Sequence, residues 1–256
     1  MIDPHNNSYV ETSINNNIAT IEFFHHQSNS LPGNLLRSLA SEITTVGNNP
    51  EAIVIVLKSG GLKSFCAGAS FDELLQISNE EEGLRFFSGF AMVINAIRTC
   101  PKIVIARIQG RCVGGGVGLA AAADYAIALD TADVKLSELA VGIGPFVVGP
   151  AVERKIGTSA FSALAIDATS WRNAHWAHQQ GLFAAIYDSL EKVDEAVEHL
   201  ASTLSKSSPE AMMELKKICW QGTDHWNTLL MERAAISGRL ILSDFSKNAI
   251  QKFKSK

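Results

Sequence analysis

The stretch that decides the fold is residues 102–124, which read KIVIARIQGRCVGGGVGLAAAAD. An apolar run over 103–108 precedes an alanine-rich segment of high helix propensity, and between them lie the glycines Gly114, Gly115, Gly116 and Gly118. This order predicts a strand, a tight turn and a helix. Glycine destabilises a helix, so a cluster at its start indicates that another group approaches the backbone there. Unpaired N–H groups at a helix N-terminus favour negative charge, so the stretch predicts a site for a phosphate or an oxyanion.

The composition excludes several classes of protein. The 256 residues are 46% hydrophobic and carry a formal net charge of −4. No basic stripe is present, which argues against a nucleic-acid partner. No apolar run reaches the roughly 18 residues of a membrane-spanning helix, and no apolar signal segment is visible, so we expect a cytoplasmic protein without a membrane partner. The four cysteines have neither CxxC nor Cys/His ligand spacing, which predicts reduced thiols and no metal site.

Strand and helix signals alternate up to about residue 190, and only helix signals follow. This pattern is typical of an α/β core with a helical extension. We therefore expect a core over residues 1–200 and a helical region over 201–256. The main predicted strands are 18–24, 53–58, 103–108 and 125–129, and the predicted helices include 35–46, 82–98, 152–156, 161–167, 209–220 and 224–242.

The glycine cluster allows three interpretations. Gly116 and Gly118, with Ala121, loosely fit the dinucleotide fingerprint GxGxxG/A, but the third glycine is absent and no second strand–helix unit with a suitably placed acid follows. The glycines could instead serve close helix packing. The third interpretation is an oxyanion hole, in which backbone N–H groups stabilise a developing negative charge.

Two further segments favour the oxyanion hole. The loop over residues 65–70 is also built of small residues, and Ser70 with Glu73 forms the pattern of a capping box. This places the N–H of Ala69 at the mouth of a second helix. Downstream, Glu138 lies in an apolar setting, where burial would raise the pKa of its carboxyl towards that of a useful base.

At these residues the chain resembles the crotonase family, also called the enoyl-CoA hydratase/isomerase superfamily. The matching segments are SFCAGASFDEL (64–74), IQGRCVGGGVGLAAAADYAIA (108–128) and VKLSELAVGIGP (134–145), and Asn29-Ser30-Leu31 is similar to an early Asn-Ala-Leu loop of the family. The resemblance covers essentially the whole chain. It implies a spiral of ββα units followed by a C-terminal α-helical trimerisation region.

The resemblance also implies a substrate and a site. The substrate would be an acyl-CoA thioester, with no cofactor beyond the coenzyme A of the substrate and no partner beyond further copies of the chain in a trimer or a dimer of trimers. By motif position, the N–H groups of Ala69 and Gly115 would hold the thioester oxygen, and Glu138 would be the acid/base. The expected substrate-binding residues are Ser30, Leu31, Cys66, Ala67, Gly68, Phe71, Gly114, Gly118 and Phe146.

One departure from the family pattern decides the expected reaction. Family hydratases use two glutamates, and the position of the first is occupied here by Gly118. Moving a double bond needs a single carboxylate that removes a proton at one carbon and returns it at another. The sequence therefore favours an enoyl-CoA isomerase. The alternatives are an enoyl-CoA hydratase and, third, a non-catalytic acyl-CoA-binding subunit.

Overall fold

The structure is a computed structural model and describes residues 8–254. Its strands are β1 (Tyr9–Asn15), β2 (Ile18–Phe24), β3 (Ser30–Leu31), β4 (Val54–Ser59), β5 (Ser64–Cys66), β6 (Gly68–Ala69), β7 (Ile103–Ile108), β8 (Arg111–Val113), β9 (Tyr125–Leu129), β10 (Val134–Lys135) and β11 (Ala185–Tyr187). Its α-helices are α1 (Gly33–Asn48), α2 (Phe71–Gln76), α3 (Glu80–Thr99), α4 (Gly115–Ala122), α5 (Gly149–Ile166), α6 (Ala174–Gln179), α7 (Leu190–Leu204), α8 (Pro209–Cys219), α9 (Trp226–Leu240) and α10 (Asp244–Lys254). A one-turn 3₁₀ helix covers Leu139–Val141.

The larger sheet has six strands in the order β1-β2-β4-β7-β9-β11. The pair β1–β2 is antiparallel and the other pairings are parallel. Strands β4 and β7 lie side by side in the middle and are buried over most of their length. Their continuous β-branched sequence is what burial on both faces requires, so the strands predicted at 53–58 and 103–108 are confirmed.

A smaller parallel sheet positions the site. Its three strands are in the order β10-β8-β5, and Cys66 and Val134 both pair with Cys112 of the central strand. All three of these side chains are fully buried. Because the strands are parallel, their carboxyl ends lie at one edge. From that edge the chain enters the loop of Ala69, the glycine cluster and the loop of Glu138.

The C-terminal helices share the core of the rest of the chain. On α9, Trp226, Leu230 and Ala234 belong to the same buried cluster as the strands. The backbones of α3 and α9 touch, because a Cβ added to Gly83 would lie 2.6 Å from the Cα of Gly238. The predicted boundary at residue 200 remains a prediction. Among residues 8–254, no helix is long and apolar enough to span a membrane.

Several predicted elements differ from the structure. The helices predicted at 152–156 and 161–167 are one element, α5, bent at Gly157, where φ is +77°. The helix predicted over 224–242 is shorter, and α10 follows it as an additional helix. The capping box at Ser70 is half formed. The Ser70 side chain accepts a hydrogen bond from the N–H of Glu73. The Glu73 carboxylate does not return a bond to Ser70 but accepts one from the N–H of Gly33, at 2.7 Å.

Candidate active site

The loops that follow β5 and β8 meet at their backbones. A Cβ on Gly116 would lie 2.3 Å from the carbonyl oxygen of Cys66, and a Cβ on Gly68 would lie 3.5 Å from the nitrogen of Gly115. Gly68 and Gly114 have φ of +88° and +53°, values that side chains disfavour. The glycines are therefore needed both for the sharp turns and for the close contact of the two loops.

Gly115 is the first residue of α4, and Gly114 is its N-cap. The first N–H groups of a helix have no partner within it. The helix dipole adds positive potential at the same point. Ala69 ends β6 and immediately precedes Ser70, the N-cap of α2. Two helix starts thus present small residues to one cavity, whose lining includes both Ala69 and Gly115.

Glu138 faces this pair of helix starts from the third loop. A Cβ on Gly114 would lie 2.9 Å from Oε1 of Glu138, so the carboxylate lies against the backbone of the glycine turn. The Glu138 residue as a whole is half-buried, but its Oε2 is fully enclosed and has no hydrogen-bond partner. Burial raises the pKa of Glu138 to about 7, against a smaller lowering by its own backbone N–H. A carboxyl with this pKa can both accept and return a proton near neutral pH.

The cavity between these loops is narrow and largely apolar. Its volume is about 50 Å³. Besides the loops, its walls come from α2, α3, α9 and the segment 141–148. Of the described residues that line it, Glu138 is the one with an ionisable side chain, and Ser137 and Ser237 add hydroxyl groups. The cavity therefore holds a single ionisable side chain in largely apolar surroundings.

Most of the predicted site residues meet here. The cavity is lined by the predicted residues Ala67, Gly68, Ala69, Phe71, Gly114, Gly115, Glu138 and Phe146. Ser30 lies in an adjoining groove that shares Ala67, Ala69 and Phe71 with the cavity. Leu31, Cys66 and Gly118 lie behind the cavity wall, fully buried, and are not among the lining residues. Burial also raises the pKa of the Cys66 thiol to about 12, which is too high for a thiolate nucleophile.

Gly118 has a packing role, as the second interpretation of the glycine cluster predicts, and its packing partner is Val148. A Cβ at this position would lie 2.4 Å from Cγ1 of Val148, so the valine side chain fills the space directly above the glycine. Val148 itself lines the cavity. A carboxylate at position 118 therefore has no room unless Val148 moves.

The other lining residues were not predicted as site residues, and four of them come from helices or segments outside the three loops. Phe87 and Phe90 lie on α3, Val148 precedes α5, and Ser237 lies on α9. Helical periodicity assigns such residues to a buried face, but the same pattern describes ordinary core residues. Nothing in the local sequence indicates which buried side chain borders the cavity, because that depends on how distant helices pack.

The raised pKa of Glu138 predicts a pH-dependent cost to stability. The ordinary value is 4.5, and the folded value is about 7. Below pH 4.5 the carboxyl is protonated in both the folded and the unfolded protein. As pH rises from there to about 7, the unfolded protein ionises first, so the free energy of unfolding falls. The shift corresponds to about 3 kcal/mol. Chemical denaturation should therefore show that Glu138→Gln gains about 3 kcal/mol over wild type between about pH 4.5 and pH 8.

The exposed Glu81→Gln is the control for that measurement, since it removes the same charge without removing a buried one. An advantage of Glu138→Gln that does not change with pH would contradict the raised pKa.

Backbone donors beside one buried carboxylate are what an enzyme needs to hold a carbonyl oxygen while a proton moves at a neighbouring carbon. The chain belongs to the enoyl-CoA hydratase/isomerase family, whose model matches residues 13–256. The predicted family and the α/β fold class are thus confirmed.

Individual relatives carry different activities in their names. A putative enoyl-CoA hydratase/isomerase, YngF, of Bacillus subtilis is 29% identical over 90% of this chain and 88% of its own length. The mitochondrial 3-hydroxyisobutyryl-CoA hydrolase of Mus musculus is also 29% identical, over 71% of this chain. The match covers 47% of the mouse protein, so the chain spans about half the length of that relative.

The fold is shared with solved structures of low sequence identity. The enoyl-CoA hydratase structure from Bacillus halodurans superposes with a TM-score of 0.87, covering 96% of this chain and all of that one, at 23% identity. This similarity establishes the crotonase fold.

Proposed function

We propose that the protein is an enoyl-CoA isomerase that moves the double bond of a 3-enoyl-CoA thioester to the 2-position. The observation that carries this proposal is the single carboxylate, Glu138, in an otherwise uncharged cavity. Val148 adds support, because it fills the space over Gly118 where a second, water-activating carboxylate would have to stand.

In the proposed reaction the thioester oxygen accepts hydrogen bonds from the N–H groups of Ala69 and Gly115. These bonds stabilise the enolate that forms when the ionised Glu138 removes a proton from C2. The C2–H pair forms the C1–C2 double bond of the enolate while the carbonyl π pair moves onto oxygen. When the carbonyl re-forms, the C1–C2 π pair becomes the C2–C3 double bond, and the former C3–C4 π pair takes up the proton that Glu138 returns at C4. The double bond then lies between C2 and C3, and no water enters the balance. Enclosure of Oε2 favours this return, because a carboxyl away from water keeps its proton.

We also propose the accompanying properties of the enzyme. The chain needs no cofactor beyond the coenzyme A of its substrate. It assembles through its C-terminal helices into a trimer or a dimer of trimers. Four cysteines without a disulfide, at positions 66, 100, 112 and 219, support a reducing compartment such as the cytoplasm.

The deciding experiment compares two reactions of the purified chain. One assay follows 3-enoyl-CoA converting to 2-enoyl-CoA, and the other follows hydration of 2-enoyl-CoA. We expect kcat for double-bond migration to exceed kcat for hydration by at least about 100-fold, because hydration lacks its second acid/base group here. In D₂O, most of the 2-enoyl product should carry no label at C4, because Glu138 returns the proton that it removed from C2 before that proton exchanges with water. Hydration faster than migration would assign the protein to the hydratases, and binding without either turnover or exchange would indicate a non-catalytic acyl-CoA-binding subunit.

A further inference from the structure

We infer that Phe90 limits the length of the acyl group and confines the enzyme to short acyl chains of about four carbons. This inference rests on the proposed function, because it concerns the acyl-CoA bound in the same cavity. Phe90 lies on α3 and is 4% exposed. It is one of two α3 side chains that line the cavity.

The ring of Phe90 is in direct contact with the residue proposed to hold the thioester oxygen. A Cβ added to Gly115 would lie 2.1 Å from Cε1 of Phe90, the shortest approach that any glycine of this site makes to a side chain. The ring therefore stands against the start of α4. An acyl chain whose carbonyl is bound at Gly115 meets Phe90 within a short distance of the carbonyl carbon.

Phe90 is also held in place from behind. Its ring packs edge-on against Phe86, with centroids 6.4 Å apart at 68°, and Phe86 packs against Phe87 at 5.3 Å and 90°. Both Phe86 and Phe87 are almost fully buried. Because buried aromatic rings at close packing have little freedom to rotate away, Phe90 acts as a fixed wall.

The size of the cavity sets the scale. Each water-sized group needs roughly 10–15 Å³, so a cavity of about 50 Å³ admits only about three to five such groups, and the thioester carbonyl is one of the groups that it has to hold. Four carbons are also the fewest that allow a double bond between C3 and C4. Longer chains would have to displace Phe90, and in an apolar pocket even one misfitted methylene group changes discrimination by about 10–200-fold.

The test varies chain length and residue 90 together. We expect wild type to turn over a four-carbon 3-enoyl-CoA with kcat/KM at least about tenfold above the eight-carbon thioester. Phe90→Ala should reduce or reverse this preference by at least about tenfold, and Phe90→Leu should have an intermediate effect. Phe183→Leu is the matched control, since Phe183 is a fully buried phenylalanine that does not line the cavity and, among the described residues, has no ring contact with Phe90. Its preference should equal that of wild type.

Equilibrium binding separates this inference from the proposed function. Wild type and both Phe90 variants are titrated with butanoyl-CoA and octanoyl-CoA, which are saturated and do not react. For each protein, the preference in binding should match the preference expected for kcat/KM. A preference for butanoyl-CoA that is reduced in Phe90→Leu and lost in Phe90→Ala would support the inference even if no turnover is found and the isomerase proposal fails. Equal affinity of wild type for the two thioesters, or an unchanged ratio in a Phe90 variant that melts cooperatively, would overturn it.

Discussion

Glu138→Gln is expected to lower kcat for double-bond migration by about 10²–10⁴-fold, the usual contribution of a positioned acid/base group. Glutamine keeps the shape of the side chain but cannot accept the C2 proton. The cavity offers no replacement among its described residues, because Glu138 is the one ionisable group that lines it. The affinity for the thioester should change little, since the proposed contacts of its oxygen are to backbone N–H groups and not to Glu138. Stopped-flow absorbance of the conjugated product, with KM measured separately, tests both statements.

The pH profile distinguishes loss of a base from loss of structure. The reaction needs ionised Glu138, so kcat/KM of wild type should fall about tenfold per pH unit below the pKa of about 7 and level off above it. The residual kcat/KM of Glu138→Gln should not show this fall at acidic pH. Glu81→Gln, exposed on α3, should retain both activity and profile. Full activity in Glu138→Gln would exclude the proposed mechanism.

Gly114→Ala is expected to lower kcat by about 100-fold, the typical effect of displacing a catalytic group by about 1 Å. The new Cβ would lie 2.9 Å from Oε1 of Glu138, so the carboxylate must move away. The backbone at Gly114 has φ of +53°, which an alanine disfavours. Relaxing that strain would turn the N–H of the adjacent Gly115 away from its place at the helix start.

Gly222→Ala is the control that separates backbone strain from damage to the site. Gly222 also has a positive φ, +83°, but a Cβ there meets nothing within 4 Å. Both variants should therefore lose about 1–3 kcal/mol of stability, while Gly222→Ala keeps the kcat of wild type. Equal kcat in the two variants, measured at a temperature where both are folded, would show that Gly114 does not position Glu138.

The parts of the fold that could be predicted are those with a strong local pattern. The buried runs at 53–58 and 103–108 and the glycine-opened helix all follow from residues close in sequence. The short strands β5, β8 and β10 were recognised only in part, since two or three residues carry too little periodicity. Helix α10 was not predicted as an element, although the helix predicted over 224–242 ends just before its first residue, Asp244.

The candidate site shows the same division. Ala69 ends a short strand, and Gly115 and Glu138 each follow one. All three occur in a recognisable local motif, and the structure brings them to one cavity. Phe90 and Val148 were missed, because their positions depend on contacts with Gly115 and Gly118 from elsewhere in the chain. The packing interpretation of the glycines also holds at Gly116 and Gly118, so one glycine cluster serves both close packing and the proposed oxyanion hole.

The small parallel sheet has a consequence for how such an enzyme can change. Strands β5 and β8 each lead into a loop with a proposed N–H donor, whereas β10 leads only into the loop of Glu138. If these roles hold, a mutation in the loop after β10 exchanges the proposed acid/base without changing the sequence of the two loops proposed to bind the carbonyl. Evolution could in this way explore new reactions on a thioester that is already bound and polarised, one loop at a time.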